Sequence, residues 1–192
     1  MDAASNGWVL SGTETATGKP ILAGDSHRGL DTPNAYYQNQ VACPEVDAVG
    51  LSFPGVPGFP HFGHNGRVSW SVTHTAADYQ DLYIERFQDG KYLFKDKWLD
   101  IETHEEIIKV KGGTDEPLTV AVTQHGPIIS GSPEEGTGLA FKYTATEKPS
   151  KWPKILSAML QANDSQELVD HMRDWVDPCN NLLFADIHGD MG

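Results

Sequence analysis

Ser5-Asn6-Gly7-Trp8-Val9-Leu10 opens the chain, and Pro20-Ile21-Leu22-Ala23-Gly24-Asp25-Ser26-His27 follows it closely. The two apolar runs are separated by Thr17-Gly18-Lys19, which predicts a β-hairpin with Gly18 in the turn. A serine this close to an amino terminus has an option that no internal serine has. Once it is the first residue, its own α-amino group, with a pKa of roughly 7.7–8.0, can act as general base for its hydroxyl. Such a nucleophile needs no histidine–aspartate pair for proton transfer. Met1-Asp2-Ala3-Ala4 precede Ser5 here. While they remain, the Ser5 nitrogen is an amide and has no basicity.

Outward from the hairpin, Tyr36, Tyr37 and Val41 continue the strand pattern over residues 34–42. Residues 50–61 carry Pro54, Gly55, Pro57, Gly58 and Pro60, which predicts an ordered surface loop. Asn65-Gly66 is a strong turn signal joining Phe62 to a strand over Val68–Thr73. From Tyr83 to Val122, aromatic and branched residues alternate with charged ones. Turn signals at Asp89-Gly90, Lys111-Gly112-Gly113 and Ser130-Gly131-Ser132-Pro133 divide that stretch. It predicts short antiparallel strands, a β-rich insertion over 82–144 beside a core made of 1–81 and 145–192. A helix is expected over Pro153–Gln161. A second is expected after Asp164, with Glu167 at capping-box spacing and Leu168, Val169, Met172, Trp175 and Val176 on one face. The fold class is α+β. The chain stops at Gly192 without a helix cap, charged tail or fold ending, as a segment within a larger protein would.

The order of motifs resembles the start of the catalytic β subunit in the penicillin amidase family of N-terminal nucleophile hydrolases. Besides the opening, it rests on Gly50-Leu51-Ser52-Phe53-Pro54-Gly55-Val56-Pro57-Gly58 and Phe62-Gly63-His64-Asn65-Gly66-Arg67-Val68-Ser69-Trp70-Ser71-Val72-Thr73. It continues through Ala77-Asp78-Tyr79-Gln80-Asp81-Leu82-Tyr83, His125-Gly126-Pro127-Ile128 and Phe184-Ala185-Asp186-Ile187-His188-Gly189, nearly the whole chain. The resemblance implies part of a four-layer αββα sandwich. It implies an enzyme that cleaves linear amides through Ser5 and an acyl-enzyme, after the bond before Ser5 is cut by self-processing. Substrates of that class include penicillin and cephalosporin side-chain amides, acyl-homoserine lactones and lipopeptide acyl chains. His27 would orient the serine hydroxyl or amine; where the family shows an Asp-Pro-His-Leu-Gly-like run, this chain has Asp25-Ser26-His27-Arg28-Gly29. The backbone N–H of His74 would be one oxyanion donor. The second donor is expected beyond Gly192, so none of Asn163, Asn180 and Asn181 takes that role. The partners implied are an α subunit and the rest of the β subunit from one precursor, in a periplasmic or secreted protein whose signal lies upstream. Catalysis would require no cofactor. Asp78, Gln80 and Asp81 match a calcium-binding turn in part of the family. They read equally as a solvated acidic turn, since calcium takes six or more oxygens and this loop offers about three.

The 192 residues carry a net charge of −13, which repels nucleic-acid phosphates and argues against nucleic-acid binding. No apolar run is long enough to span a bilayer. Cys43 and Cys179 could form one disulfide or stay as two buried thiols. His61 and His64 could suggest a metal pair, but no third ligand is in context and the hairpin reading is preferred. Trp70, Phe59 and Phe62 could line an acyl pocket, although aromatic strand residues are more often core. His125 reads as a turn residue. The alternative to an enzyme is a scaffold of the same fold that has lost catalysis, or a calcium-stabilised binding domain.

Overall fold

The computed structural model describes residues 4–56, 61–147 and 151–192. The chain divides into two compact units, Met1–Ala77 with Ser150–Gly192, and Asp78–Pro149.

In the first unit, β1 (Ala4–Leu10) and β2 (Ile21–His27) form the expected antiparallel hairpin. Its connection is longer than a tight turn and holds a 3-10 turn at Gly12–Glu14, capped by the Ser11 side chain. A five-stranded antiparallel sheet follows, built from β3 (Tyr37–Cys43), β4 (Val46–Ser52), β5 (Phe62–His64), β6 (Val68–His74) and β14 (Asn180–Asp186), in the order β14-β6-β5-β4-β3. Residues 50–52, expected in a loop, belong to β4. Gly50 and Leu51 pair with β3 on one side and with Gly63 and Phe62 on the other, and two ladders outweigh the proline signal that begins only at Pro54. Pro57, Gly58, Phe59 and Pro60 lie outside the described residues. The Asn65-Gly66 turn closes through Asn65 N–H to Val68 O at 3.1 Å. Gly66 takes φ +81°, and Asn65 Oδ1 accepts from the Arg67 and Val68 N–H groups.

Side chains alternate across β6. Val68 and Trp70 join Ala48 of β4 on one face, and α2 (Trp152–Gln161) and α3 (Ser165–Met172) cover them with Ile155, Leu156, Met159, Leu160 and Leu168. Asp164 caps α3, its side chain accepting from Glu167 N at 2.8 Å, while Glu167 reaches back to Asn163 N. The helix ends at Met172, so Trp175 and Val176 are not on its face; the Trp175 indole donates instead to Pro178 O at 2.8 Å. The opposite face of β6 carries Ser69, Ser71 and Thr73, and the β1–β2 hairpin lies on it. The described layers are helices, sheet and hairpin sheet.

The second unit is one seven-stranded antiparallel sheet in the order β10-β11-β12-β13-β7-β8-β9. Its strands are β7 (Gln80–Gln88), β8 (Lys91–Phe94), β9 (Lys97–Asp100), β10 (Glu102–Ile108), β11 (Glu116–Thr123), β12 (Gly126–Ser132) and β13 (Thr137–Tyr143), followed by the single turn α1 (Thr144–Glu147). The turn expected at residues 130–133 falls later. β12 runs through Ser132 with a register shift between Ile128 and Ser130, and the reversal is made at Pro133–Gly136. Glu85, 2% exposed, accepts from Thr123 Oγ1 at 2.7 Å and lies 2.8 Å from His125 Nδ1. The His125 ring stacks on Tyr83 at 3.9 Å, so this turn residue also ties β7 to the β11–β12 corner.

Candidate active site

The hairpin meets β6 and β14 closely at two glycines. A Cβ on Gly24 would lie 2.1 Å from Ser71 Oγ, and one on Gly7 2.6 Å from Leu183 Cδ2. At the loop end of the hairpin, Lys19 Nζ donates to Ile187 O at 2.8 Å. These contacts orient the hairpin along β6. Gly24 sits over Ser71 and Lys19 lies beyond Val68, so Ser5 and Ser26 fall toward Thr73 and His74.

Register decides what Ser5 faces. Ser5 pairs with Ser26, Gly7 with Gly24, and Ala4 with His27. Directly paired residues share a face and neighbours along a strand do not. Ser5 and Ser26 therefore lie on the face turned to the five-stranded sheet, where both are half-buried. His27 lies on the other face with Asp25, its Nε2 3.0 Å from Asp25 Oδ2. The expected approach of the His27 ring to the Ser5 hydroxyl is thus absent here, and strand parity is the reason.

His74 ends β6 opposite Asn180. The next residue, Thr75, donates its N–H to Cys179 O at 3.3 Å. Bonded and non-bonded pairs alternate along an antiparallel ladder, so the His74 N–H points away from β14. The His74 ring is used locally, Nδ1 accepting from Ala76 N at 3.0 Å.

Tyr36, read from sequence only as a strand residue, joins the site. Its phenolic oxygen accepts from Ser26 Oγ and from Arg28 Nη2, each at 3.3 Å. Its ring meets Phe53, His61 and Phe62 at 4.6, 6.0 and 5.3 Å. His61 is 8% exposed; burial, and then the Arg28 charge, push its imidazole down to about 4, so it is neutral at physiological pH. Beside it opens a cleft of about 210 Å³ with walls from Phe53, Val56, Trp152, Leu156 and Trp175. Trp70 is not in this cleft. At 1% exposed it fills the core beneath α2. Phe59 lies outside the described residues.

The metal readings divide. His64 Nδ1 accepts from Gly66 N at 3.2 Å, which engages it in the turn, and His61 is buried among aromatic rings. Among the described residues no group of three His, Cys, Asp or Glu side chains could hold a metal ion. Asp78, Gln80 and Asp81 are exposed in the second unit, around a hollow that Lys142 and Thr144 also line. One Asp81 oxygen accepts from Leu82 N at 2.7 Å. These hard oxygens suit calcium in type and fall short in number. Cys43 and Cys179 are both free thiols and Cys43 is exposed, so neither the disulfide nor the pair of buried thiols is present.

A sequence model of the penicillin amidase family matches residues 1–192. The chain is 40% identical over 190 residues to penicillin acylase 2 proenzyme from Pseudomonas sp. (strain SE83), a match covering 98% of this chain and 24% of that protein. It is 28% identical over 200 residues to the acyl-homoserine lactone acylase QuiP of Pseudomonas aeruginosa, covering 96% of this chain and 23% of that one. The thermostable penicillin G acylase from Alcaligenes faecalis superposes with a TM-score of 0.74 at 24% identity, over 96% of this chain and 34% of that chain. The chain therefore spans about a quarter of the length of these curated relatives. The fold is part of the N-terminal nucleophile hydrolase sandwich, as the layers and this superposition agree. With its whole length matched, the chain belongs to the penicillin amidase family.

Proposed function

We propose that the protein is an amide hydrolase whose nucleophile is Ser5, made as a precursor and matured by cleavage before that residue. The observation that carries this reading is the placement of Ser5. It stands near the start of β1, on the face turned to β6, at the end of the sheet where His74 lies. After cleavage the Ser5 amine takes the proton of its own hydroxyl as Oγ attacks the amide carbonyl. The amine then returns that proton to the leaving nitrogen, and water releases the acid from the acyl-enzyme. Negative charge on the carbonyl oxygen is met by the His74 N–H. A donor of this kind is worth roughly 3–4 kcal/mol of barrier. His27, opposite Ala4 and held by Asp25, lies on the other face of the hairpin from Ser5. The aromatic cleft next to Tyr36 and His61 suits an apolar acyl group.

The remaining oxyanion donor, and partners from an α subunit and the rest of the β subunit, come from outside these 192 residues. Calcium, where bound, uses Asp78, Gln80 and Asp81 with further oxygens from elsewhere in the protein. A periplasmic or secreted location accords with this reading, and among the described residues no helix is long and apolar enough to cross a membrane. The test is intact-mass analysis of the full-length protein together with assays on a panel of amides. Cleavage before Ser5 and hydrolysis are expected, both lost in Ser5→Ala. Turnover retained in Ser5→Ala would refute the assignment, and an uncleaved, inactive wild type would favour the inactive scaffold.

A further inference from the structure

We propose that Ser26 is a positioning residue for Ser5, held in one hydrogen-bonding polarity by Tyr36 and Arg28; the inference rests on the reading of Ser5 as the nucleophile. Directly opposed side chains on an antiparallel pair have Cβ atoms about 4.5–5.5 Å apart, so Ser26 Oγ stands within reach of Ser5. Arg28 has only donors to offer, and its Nη2 donates to the Tyr36 oxygen. That oxygen also accepts the Ser26 hydroxyl proton at 3.3 Å. With its proton committed to Tyr36, Ser26 Oγ presents lone pairs to Ser5. It is then an acceptor.

The freed amine of Ser5 has two N–H bonds and one lone pair, and catalysis needs the lone pair turned to its own hydroxyl. An acceptor that takes one N–H fixes that rotation. Ser26 supplies it from the same face of the hairpin, whereas His27 and Asp25 are paired to each other on the opposite face. The β1–β2 ladder, continuous from Ala4 opposite His27 to Leu10 opposite Ile21, keeps Ser5 and Ser26 directly opposed.

The experiment compares wild type, Ser26→Ala, Ser26→Thr, Tyr36→Phe and the Ser26→Ala/Tyr36→Phe pair in the full-length protein, each checked by intact mass for cleavage before Ser5. For the matured enzymes, Ser26→Ala should lower kcat about five- to tenfold with KM within about twofold, the loss expected from one positioning hydrogen bond. Ser26→Thr, which keeps the hydroxyl, should restore most of kcat. Tyr36→Phe should lower kcat too, and the pair should be no slower than Ser26→Ala alone, because Tyr36 acts through Ser26. An unchanged kcat in matured Ser26→Ala, or losses that multiply in the pair, would overturn the inference while leaving Ser5 in place. Should Ser26→Ala fail to mature, Tyr36→Phe decides, since it leaves Ser26 intact. A kcat equal to wild type would then reject the relay. Turnover in Ser5→Ala would reject both readings together.

Discussion

Replacing Asp186 by asparagine tests how this sheet is closed. Asp186 is 5% exposed at the end of β14. Its Oδ1 accepts from the N–H groups of His188, Gly189 and Asp190 at 2.8, 3.0 and 3.0 Å. Its Oδ2 accepts from Ser165 N at 2.9 Å and Ser165 Oγ at 2.5 Å, which ties the start of α3 to the sheet. Burial pushes the carboxyl up, but the hydrogen bonds from Ser165, His188 and Asp190 outweigh it and bring it down from 3.8 to about 2. A depressed folded-state pKa contributes stability above the ordinary carboxyl range, lost as pH falls through the folded value. A difference of this size is about 2–3 kcal/mol. In Asp186→Asn an NH₂ must face either the three N–H groups or the Ser165 N–H, so a similar loss is expected at neutral pH. That corresponds to roughly 5–10 °C in Tm for a chain of this length. Urea unfolding across pH 2 to 7 is the assay. Wild-type and variant curves should be separated by about 2–3 kcal/mol above pH 5 and should converge toward pH 2. A difference below about 0.5 kcal/mol, or one that does not change with pH, would refute the reasoning.

Gly24→Ala should destabilise by about 1–3 kcal/mol, since its methyl would meet Ser71 Oγ at 2.1 Å; thermal unfolding at wild-type Tm would contradict that packing. Chelating calcium should lower the Tm and the processing yield of the full-length protein, with less effect once it is matured. An identical Tm with and without chelator counts against a site at Asp78 and Asp81. The 192-residue chain with residues 1–4 attached should not hydrolyse penicillin G, an acyl-homoserine lactone or a chromogenic phenylacetyl amide. Its Ser5 nitrogen is an amide, so the base proposed for the serine hydroxyl has no lone pair to take the proton. Turnover above a Ser5→Ala control, with the intact mass unchanged, would contradict the amine mechanism.

Much of the fold was legible along the chain because its cues are local. Gly18 and Asn65-Gly66 mark turns, alternation marks the strands of the second unit, and Asp164 with Glu167 marks the start of α3. The motif order from Ser5 to Gly189 was sufficient to indicate the family. Those signals span a few residues each, or depend only on their order, and need no knowledge of what packs on what. Tertiary structure decided the rest. Trp70 and Phe62 are both aromatic strand residues, yet one is sealed under α2 and the other meets Tyr36, because sheet faces are assigned by which layer covers them. His27 and Ser26 are adjacent in sequence. Only the pairing of β1 with β2 turns Ser26 toward Ser5 and His27 away, since a side chain's face is set by register between strands that are distant along the chain. Asp186 gave no local sign that it would gather five donors from α3 and the following turn. That role exists only once the helix has docked against the end of the sheet.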